Sequence, residues 1–486
     1  MTRLWNRLEQ HAQQQGDAVA LQDATTRVCY RELLPRIKAL AEELVRAGTR
    51  RLALQLDNSI DWALCDLACA HAGLVLVPVP GFFSAEQRQW LLDSSGADTL
   101  IGPPAGGWQP LVLAPGLSGW HRQVDAPVPL PAGTAKITYT SGTTGQPKGV
   151  CLSLKQELTT VRALADRLAG TRVEHHLTLL PLSTLLENLA GLYLPLWLGA
   201  TATLPGLEEV GFTGSSQLDA NRLATALARW QPHSLVLVPE LLRLLTGLCL
   251  RQPTLANSLR LVAVGGGRVA PELLRQAREA GIPAVEGYGL SECGSVVALN
   301  SPEHSRPEYH RHGSVGRPLA HLSVRIDESG EIHVRGGAML GYLGEPAAPA
   351  EIATGDLGQL DADGFLHITG RRKNVQITAF GRNFSPEWVE AEAQGCPAIA
   401  RLVIIGDGLP ANLALVQPLP GQESALPGQI AALNAQLPDY ARIHHWLVPS
   451  PGLAEAGLLT ANGRPRRDAI RRAYADQIQH LTGVRP

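Results

Sequence analysis

One pattern recurs along this sequence: an apolar helical stretch, a glycine and a short run of apolar residues. Residues 59–80, SIDWALCDLACAHAGLVLVPVP, show it first, with Gly73 as the stop. Residues 185–206 repeat it around Gly199, and residues 271–289 keep the same order. A glycine after a helix adopts the left-handed cap without strain, and an all-apolar strand suits a sheet covered on both faces. The pattern predicts helices layered over largely parallel sheets, which is an α/β fold.

The pattern of apolar and polar residues changes after about residue 310. Residues 322–336 and 358–371 alternate apolar and polar positions around glycine-containing turns, which is typical of β-hairpins. A helix is then predicted to begin with Ser385 as its N-cap and Pro386 in its first turn. We expect a large α/β body followed by a smaller α+β domain, with the boundary near residues 370–374.

Length, charge and cysteine content narrow the class of protein. A chain of 486 residues is too long for one hydrophobic core and indicates two or more domains. Its net charge of −2 predicts no nucleic-acid partner, because the sequence lacks the excess of positive charge that binds nucleic acid. The seven cysteines are scattered without CxxC spacing, so the composition predicts a reduced, cytoplasmic protein.

The longest apolar stretch, residues 177–204, raises the question of a membrane span. Pro181 and Pro195 interrupt it, and the Glu187–Asn188 pair would place a carboxylate near the middle of the bilayer. The polar N-terminus also lacks the apolar segment of a signal peptide. We therefore predict that this stretch is buried in the protein and that the chain does not span a membrane.

Residues 137–150, ITYTSGTTGQPKGV, form the most distinctive local motif. Hydroxyl side chains and glycines are packed together here, and Lys148 follows between Pro147 and Gly149. Glycines let backbone N–H groups turn toward an anion, hydroxyls add short donors and a lysine adds charge, a combination typical of phosphate binding. The Walker A loop requires Gly-Lys-Ser/Thr in succession, so this is a phosphate loop of another kind. The alternative is a polar surface loop, which the strand-like ends disfavour.

The stretch YTSGTTGQPKGV resembles the phosphate loop of the acyl-adenylate-forming (AMP-binding) superfamily, which includes acyl-CoA synthetases, nonribosomal peptide adenylation domains and luciferases. The resemblance extends over essentially the whole chain, because further motifs follow in the family's order. It implies an N-terminal adenylation domain of residues 1–370 and a small, mobile C-terminal domain of residues 371–486. The further motifs are AVGGGRV (263–269), EGYGLSE (286–292), TGDLG (354–358), GRRKN (370–374) and LLTANGRPRR (458–467).

The resemblance also implies which residues bind ATP. Glu292 is expected to contact Mg²⁺, since hard oxygen ligands suit that ion, and Ser291 is expected to offer its hydroxyl to the α-phosphate. Asp356 is expected to accept hydrogen bonds from the ribose hydroxyls, with Arg371 donating beside it. Two sets complete the predicted site: Gly265, Gly266, Gly267, Tyr288 and Gly289 at the adenine, and Thr140, Ser141, Gly142, Thr143, Thr144, Gly145 and Lys148 along the triphosphate.

Thr143, Lys148, Glu292 and Arg464 are the catalytic residues that the resemblance implies. Arg464 stands where the family has a lysine that reaches the carboxylate and the α-phosphate during adenylation. Arginine keeps the charge, but its guanidinium is planar, bulkier and forked. We therefore expect either slower adenylation or a compensating shift of the loop.

The resemblance implies an ATP-dependent reaction in two halves. A carboxylate attacks the α-phosphate to give an acyl-adenylate and pyrophosphate, and a thiol then displaces AMP. Residues 181–187, PLSTLLE, match a pattern of long-chain acyl-CoA synthetases, although Thr184 replaces its histidine. No early aspartate that would hold the amino group of an amino acid is identified. The predicted substrate is a fatty acid, and an aryl acid or an amino acid remains the alternative.

The thiol is predicted to belong to CoA or to the phosphopantetheine of a carrier protein, and the sequence does not separate the two. The basic stretch of Arg464, Arg466, Arg467, Arg471 and Arg472 either faces CoA phosphates or an acidic carrier, or is a solvated helix face. A different class of function is a degenerate protein that binds nucleotide or acyl-adenylate without turnover. The Arg464 substitution is its only support, and the complete phosphate loop argues against it.

Overall fold

The computed structural model describes residues 2–113, 117–140, 147–213, 217–303, 306–460 and 463–484. The helices in these residues are α1 (Thr2–Gln15), α2 (Tyr30–Arg46), α3 (Ile60–Ala72), α4 (Ala85–Ser95), α5 (Leu154–Arg167), α6 (Leu185–Glu187), α7 (Leu194–Leu198), α8 (Ala220–Trp230), α9 (Pro239–Arg251), α10 (Pro271–Glu279), α11 (Pro386–Glu392), α12 (Leu426–Gln436), α13 (Arg467–Ala473) and α14 (Ala475–Thr482).

Two large sheets with parallel centres form the N-terminal part. From edge to edge, the first contains β18 (Arg317–Pro318), β17 (Ala298–Leu299), β16 (Ala284–Tyr288), β15 (Leu261–Val264), β14 (Ser234–Leu237), β10 (His175–Leu177), β11 (Thr201–Thr203), β1 (Val19–Gln22) and β2 (Arg27–Cys29). The second contains β21 (Gly341–Tyr342), β9 (Lys148–Leu152), β8 (Lys136–Thr140), β4 (Val75–Pro78), β3 (Arg51–Leu54), β5 (Thr99–Ile101), β7 (Ser118–His121) and β6 (Gln109–Val112).

Smaller antiparallel and mixed sheets follow. One contains β19 (Ser323–Ile326), β20 (Glu331–Arg335), β22 (Glu351–Leu360) and β23 (Leu366–Arg371), and another contains β26 (Ile399–Ile405), β27 (Asn412–Pro418) and β28 (Ile443–Leu447). Two hairpins pair β12 (Phe212–Thr213) with β13 (Gln217–Leu218) and β24 (Gln376–Ile377) with β25 (Asn383–Phe384).

The helix–glycine–strand pattern forms the units that the sequence predicts. The Ser59 hydroxyl caps α3 by accepting from the Trp62 N–H at 3.2 Å. Gly73 ends the helix at φ 71°, and Gly199 ends α7 at φ 79°. Both glycines lead into strands of parallel pairs, β4 and β11. The predicted α/β fold class is therefore confirmed.

The largest hydrophobic core lies between the two large sheets. Helices α2, α3, α5 and α7 fill it, with fully buried side chains such as Trp62 and Tyr193. The apolar stretch 177–204 contributes many of these residues, so its predicted burial is confirmed. In the described part of the chain, no helix is both long enough and apolar enough to cross a membrane. All seven cysteines are free.

Three details differ from the sequence-based expectations. A π-helical segment, Asn188–Tyr193, interrupts the predicted helix between α6 and α7. The helix that the basic stretch suggests is divided into α13 and α14 at Tyr474. Ser385 precedes α11 as predicted, but its hydroxyl does not cap the helix and instead donates to Glu387 Oε2 at 3.0 Å.

The C-terminal residues build a core of their own around β26–β28, α11 and α12. Beyond Asn374, the described C-terminal residues share three side-chain hydrogen bonds with the N-terminal part. Arg243 Nη2 donates to the Cys396 carbonyl at 3.1 Å, and Gln394 Nε2 donates to the Arg268 carbonyl at 3.5 Å. The third is made by Arg464, which lies in the cleft between the two parts.

Candidate active site

One cleft of about 2470 Å³ collects the described residues of the predicted site. It lies where the C-terminal residues face the carboxyl ends of β14–β16. Ser141, Gly142, Thr143, Thr144 and Gly145 of the phosphate loop lie outside the described residues. The predicted residues that line the cleft are Thr140, Lys148, Gly265, Gly266, Gly267, Tyr288, Gly289, Ser291, Glu292, Asp356, Arg371 and Arg464.

Two glycine-containing segments form the centre of the cleft. Residues 265–267 follow β15, and Gly289 follows β16. The carboxyl ends of parallel strands are where open α/β sheets bind ligands. At Gly289 a Cβ atom would lie 1.7 Å from the Ser295 carbonyl oxygen, so only glycine allows this close approach of two backbones.

Glu292, the predicted magnesium contact, lies in a 3₁₀ turn after these glycines. Its Oε1 accepts a hydrogen bond from the Tyr342 hydroxyl at 2.9 Å. Tyr342 lies on β21 beside β9, and Lys148 Nζ lies 4.8 Å from the centre of its ring. Lys148 also pairs with Glu345 Oε1 at 3.2 Å. Burial raises the pKa of Tyr342, so its hydroxyl stays protonated and donates to Glu292.

Asp356 and Arg371 face each other across the pair of β22 and β23. Arg371 Nε lies 3.1 Å from Asp356 Oδ1, and the Tyr288 hydroxyl donates to Oδ2 at 2.8 Å. Burial raises the pKa of Asp356, and the Arg371 charge and the Tyr288 hydrogen bond oppose the rise. A carboxylate has about four acceptor positions, so Asp356 can accept further hydrogen bonds from a ligand in the cleft.

Arg464 lies in the C-terminal part, and its side chain reaches residues 265–267, the segment predicted to contact adenine. The Thr460 N–H donates to the Arg464 carbonyl at 2.7 Å, and the Arg464 N–H donates to Thr460 Oγ1 at 3.0 Å. Its Nη2 donates to the Gly266 carbonyl at 2.9 Å. Burial and then the charge of Arg371 lower the pKa of Arg464. The guanidinium therefore crosses from one part of the chain to the other within the cleft.

The cleft also has an apolar branch. Leu261 and Ala263 on β15 line it, and Leu261 lies about 10 Å from Val264 along an extended strand. Leu164 and Leu168, at the end of α5, line it on the helix side. These four lining residues are apolar and belong to the first sheet and to the helix layer.

The arginines of the basic stretch in the C-terminal part differ in their contacts. Arg467 forms two hydrogen bonds to Glu390, at 2.8 and 2.7 Å, and Arg471 donates to Asp407 Oδ2 at 2.8 Å. These two arginines are paired within their own domain, while Arg466 and Arg472 are exposed.

Comparison with known proteins identifies the family. The family model for AMP-binding enzymes matches residues 8–343, and the model for their C-terminal domain matches residues 374–482. The chain therefore belongs to the AMP-binding enzyme family, which confirms both the predicted family and the prediction that it is an enzyme.

Several named relatives are similar over most of their length. The long-chain-fatty-acid–CoA ligase FadD15 of Mycobacterium bovis is 28% identical over 80% of this chain and 77% of its own. The 2-succinylbenzoate–CoA ligase of Bacillus subtilis is 28% identical over 84% and 85%, respectively. Among solved structures, o-succinylbenzoate CoA synthetase from Bacillus subtilis, in complex with its acyl-adenylate intermediate, has the same fold. It matches with a TM-score of 0.74 and 24% identity, covering 96% of this chain and 97% of that one.

Two contacts of the cleft are not apparent from the sequence. Tyr342 reaches Glu292 only because β21 pairs with β9, a strand almost two hundred residues earlier. Asn374, at the predicted hinge, donates a hydrogen bond to Glu387 of α11. No local pattern marks Tyr342, because its position depends on long-range strand pairing, and the GRRKN motif marks Asn374 without indicating its partner.

Proposed function

We propose that this enzyme activates a carboxylic acid with ATP, forms an acyl-adenylate and transfers the acyl group to the thiol of CoA. The observation that carries the proposal is the convergence of Glu292, Asp356 and Arg464 on one cleft beside the residues of β15 and β16. The relatives named as CoA ligases of fatty, aryl and succinylbenzoic acids support the reaction class.

Adenylation requires that the nucleotide be held and that charge on the α-phosphate be stabilised as the carboxylate attacks. We assign the ribose hydroxyls to Asp356, beside Arg371, and the adenine to residues 265–267 and Tyr288. The phosphates are assigned to Thr140, Lys148 and the loop of residues 141–145. Ser291 donates to the α-phosphate, and the guanidinium of Arg464 stabilises its negative charge.

Glu292 fits a magnesium ion because its carboxylate lines the cleft and keeps acceptor positions beyond the bond from Tyr342. Bound with ATP, the ion would neutralise charge on the phosphate oxygens. The Tyr342 hydroxyl fixes the direction of the carboxylate and leaves its other oxygen for the metal.

The second half-reaction requires a different arrangement of the C-terminal part, residues 371–486. We propose that this domain turns near Asn374, withdraws Arg464 and admits the thiol. The three side-chain hydrogen bonds that described residues beyond Asn374 make to the N-terminal part are few enough to break and form during turnover. The acceptor is assigned to CoA because the named relatives are CoA ligases, and a carrier protein remains the alternative that the assay must exclude.

The proposal is tested by incubating the full chain with ATP, Mg²⁺, CoA and a panel of aliphatic, aryl and amino acids. We expect AMP, pyrophosphate and an acyl-CoA in equal amounts, with mass spectrometry identifying the thioester. Formation of ADP, or nucleotide hydrolysis without thioester, would exclude the proposed reaction. Thioester on an added carrier protein but not on CoA would reassign the acceptor.

A further inference from the structure

The wall of the apolar branch is a helix with an unusual turn. Six of its residues line the cleft, from α6 through the π-helical segment Asn188–Tyr193 to α7, and four of the six recur at a spacing of four residues. We call them the apolar stripe: Leu186, Ala190, Leu194 and Leu198.

A regular α-helix would not keep this stripe straight. Residues four apart advance about 40° around an α-helix, so three such steps would turn the stripe by about 120°. A π turn, with its i→i+5 hydrogen bonds, contains about 4.4 residues. The step of four residues from Ala190 to Leu194 therefore falls roughly 30° short of a full turn, which is a rotation opposite to the α-helical drift. The π-helical segment therefore compensates the drift and keeps Leu198 on the cleft side, about 18 Å from Leu186 at 1.5 Å per residue.

A buried polar cluster holds both ends of the π-helical segment. Asn188 Oδ1 accepts from Lys136 Nζ at 2.5 Å, and Asn188 Nδ2 donates to Asp66 Oδ2 at 2.6 Å. At the other end, the Tyr193 hydroxyl donates to Asp66 Oδ1 at 3.1 Å. Lys136 Nζ lies 3.2 Å from Asp66 Oδ1, and none of the four residues is more than 2% exposed.

The cluster selects the π turn over the α turn. Residues five apart lie about 140° apart around an α-helix and about 50° apart around a π turn. Asn188 and Tyr193 can therefore reach the same carboxylate only when this segment is π-helical. On another side of the segment, Gly191 leaves room for the buried Glu187–His176 pair, since a Cβ there would lie 2.4 Å from Glu187 Oε1.

We infer that Asp66, Lys136, Asn188 and Tyr193 are positioning residues that hold the π turn, keep the apolar stripe straight along the cleft and so set a preference for elongated aliphatic acids. This inference rests on the proposed function. It links Lys136, the first residue of the strand β8 that leads to the phosphate loop, with the wall that contacts the acyl chain.

Chain-length profiles test the inference. We would measure kcat/KM for straight-chain acids from butyric to palmitic acid in the parent, Tyr193→Phe, Asn188→Ala and Ala190→Leu. Each buried methylene contributes about fourfold in affinity, so misalignment that uncovers two methylenes lowers the palmitic-to-butyric ratio by about fifteenfold. Butyric acid and the KM for ATP should change by less than about twofold. Ala190→Leu should obstruct the branch directly and exclude the longest acids.

Glu157→Gln is the matched control. Glu157 pairs with Lys136 at 3.5 Å and is equally buried, but among the described residues it makes no hydrogen bond or salt bridge to the π-helical segment. Its profile should match the parent. Equal losses with short and long acids, or an unchanged profile in Tyr193→Phe and Asn188→Ala, would overturn the inference. A parent that prefers aryl acids would overturn it while leaving the proposed function intact, and a parent inactive with every acid would remove both.

Discussion

At the scale of single residues, we propose that metal-dependent adenylation depends on Glu292 and on the Tyr342 hydroxyl that donates to it. We expect Glu292→Ala to lower Mg²⁺-dependent adenylate formation by about a hundredfold or more, because charge stabilisation of a phosphoryl-type transition state contributes several kcal/mol. Tyr342→Phe should cause a smaller loss, since it removes only the bond that directs the carboxylate.

The control for this pair is Glu345→Gln, which alters the exposed partner of Lys148 and leaves Glu292 in place. Adenylate formation can be followed as hydroxamate trapped from the acyl-adenylate at several Mg²⁺ concentrations. Near-normal activity of Glu292→Ala at low Mg²⁺ would show that the metal is held elsewhere.

Gly289 shows how strictly one residue can be determined by its surroundings. Gly289→Ala should lower the melting temperature and abolish activity, because its Cβ would overlap the Ser295 carbonyl and overpacking costs about 1–3 kcal/mol or more. Gly247→Ala, on α9 with open space around the added Cβ, should be neutral or slightly stabilising. Thermal unfolding of both variants checks the contrast, and equal melting temperatures would contradict it.

At the scale of elements, Glu157 joins α5 to the buried Lys136 of β8. Burial raises the pKa of Glu157 from 4.5 to about 7, so the folded state retains a proton that the unfolded state loses in this range. The contribution of Glu157 to stability must therefore fall as pH rises from about 4.5 to 7, and it is lost above that window.

Glu157→Gln removes this titration. Between pH 5 and pH 7, the free energy of unfolding of the variant should increase relative to that of the parent. Urea denaturation at matched ionic strength measures this difference. A difference that stays constant with pH would mean that Glu157 is ionised in the folded protein throughout the range.

The elements that local chemistry determines were predictable from the sequence. The Ser84–Gln87 capping box begins α4, and glycines end α3 and α7, as the residue patterns indicate. The π-helical segment was not predictable, because it depends on Asp66, more than a hundred residues earlier, reaching both Asn188 and Tyr193. The motif residues of the cleft were found because they are contiguous, whereas Tyr342 depends on strand pairing.

At the scale of the whole molecule, Arg464 is the residue that should separate the two half-reactions. Its side chain bonds to Gly266 across the two parts of the chain, and we propose that this arrangement serves adenylation only. We expect Arg464→Ala to lower adenylate formation by at least about tenfold, the effect of one charge-assisted contact of about 1.4 kcal/mol. In the same variant, thioester formation from supplied acyl-adenylate should be nearly unchanged. Arg464→Lys should restore the adenylate formation that Arg464→Ala loses.

Separate assays of the two half-reactions on purified protein check this expectation. Equal losses in both would mean that Arg464 has a structural role, and the assignment of residues 458–467 as the loop that acts in adenylation would then be wrong.

We propose that ATP and a carboxylic acid form an enzyme-bound acyl-adenylate in this cleft. Exchange of labelled pyrophosphate into ATP, measured on the full chain without any thiol, tests it most directly because exchange requires reversible adenylation. We predict Mg²⁺-dependent exchange that appears only when an accepted acid is added and that rises with chain length among aliphatic acids. Absence of exchange with every acid of a panel of aliphatic, aryl and amino acids, or exchange that does not depend on added acid, would contradict the account.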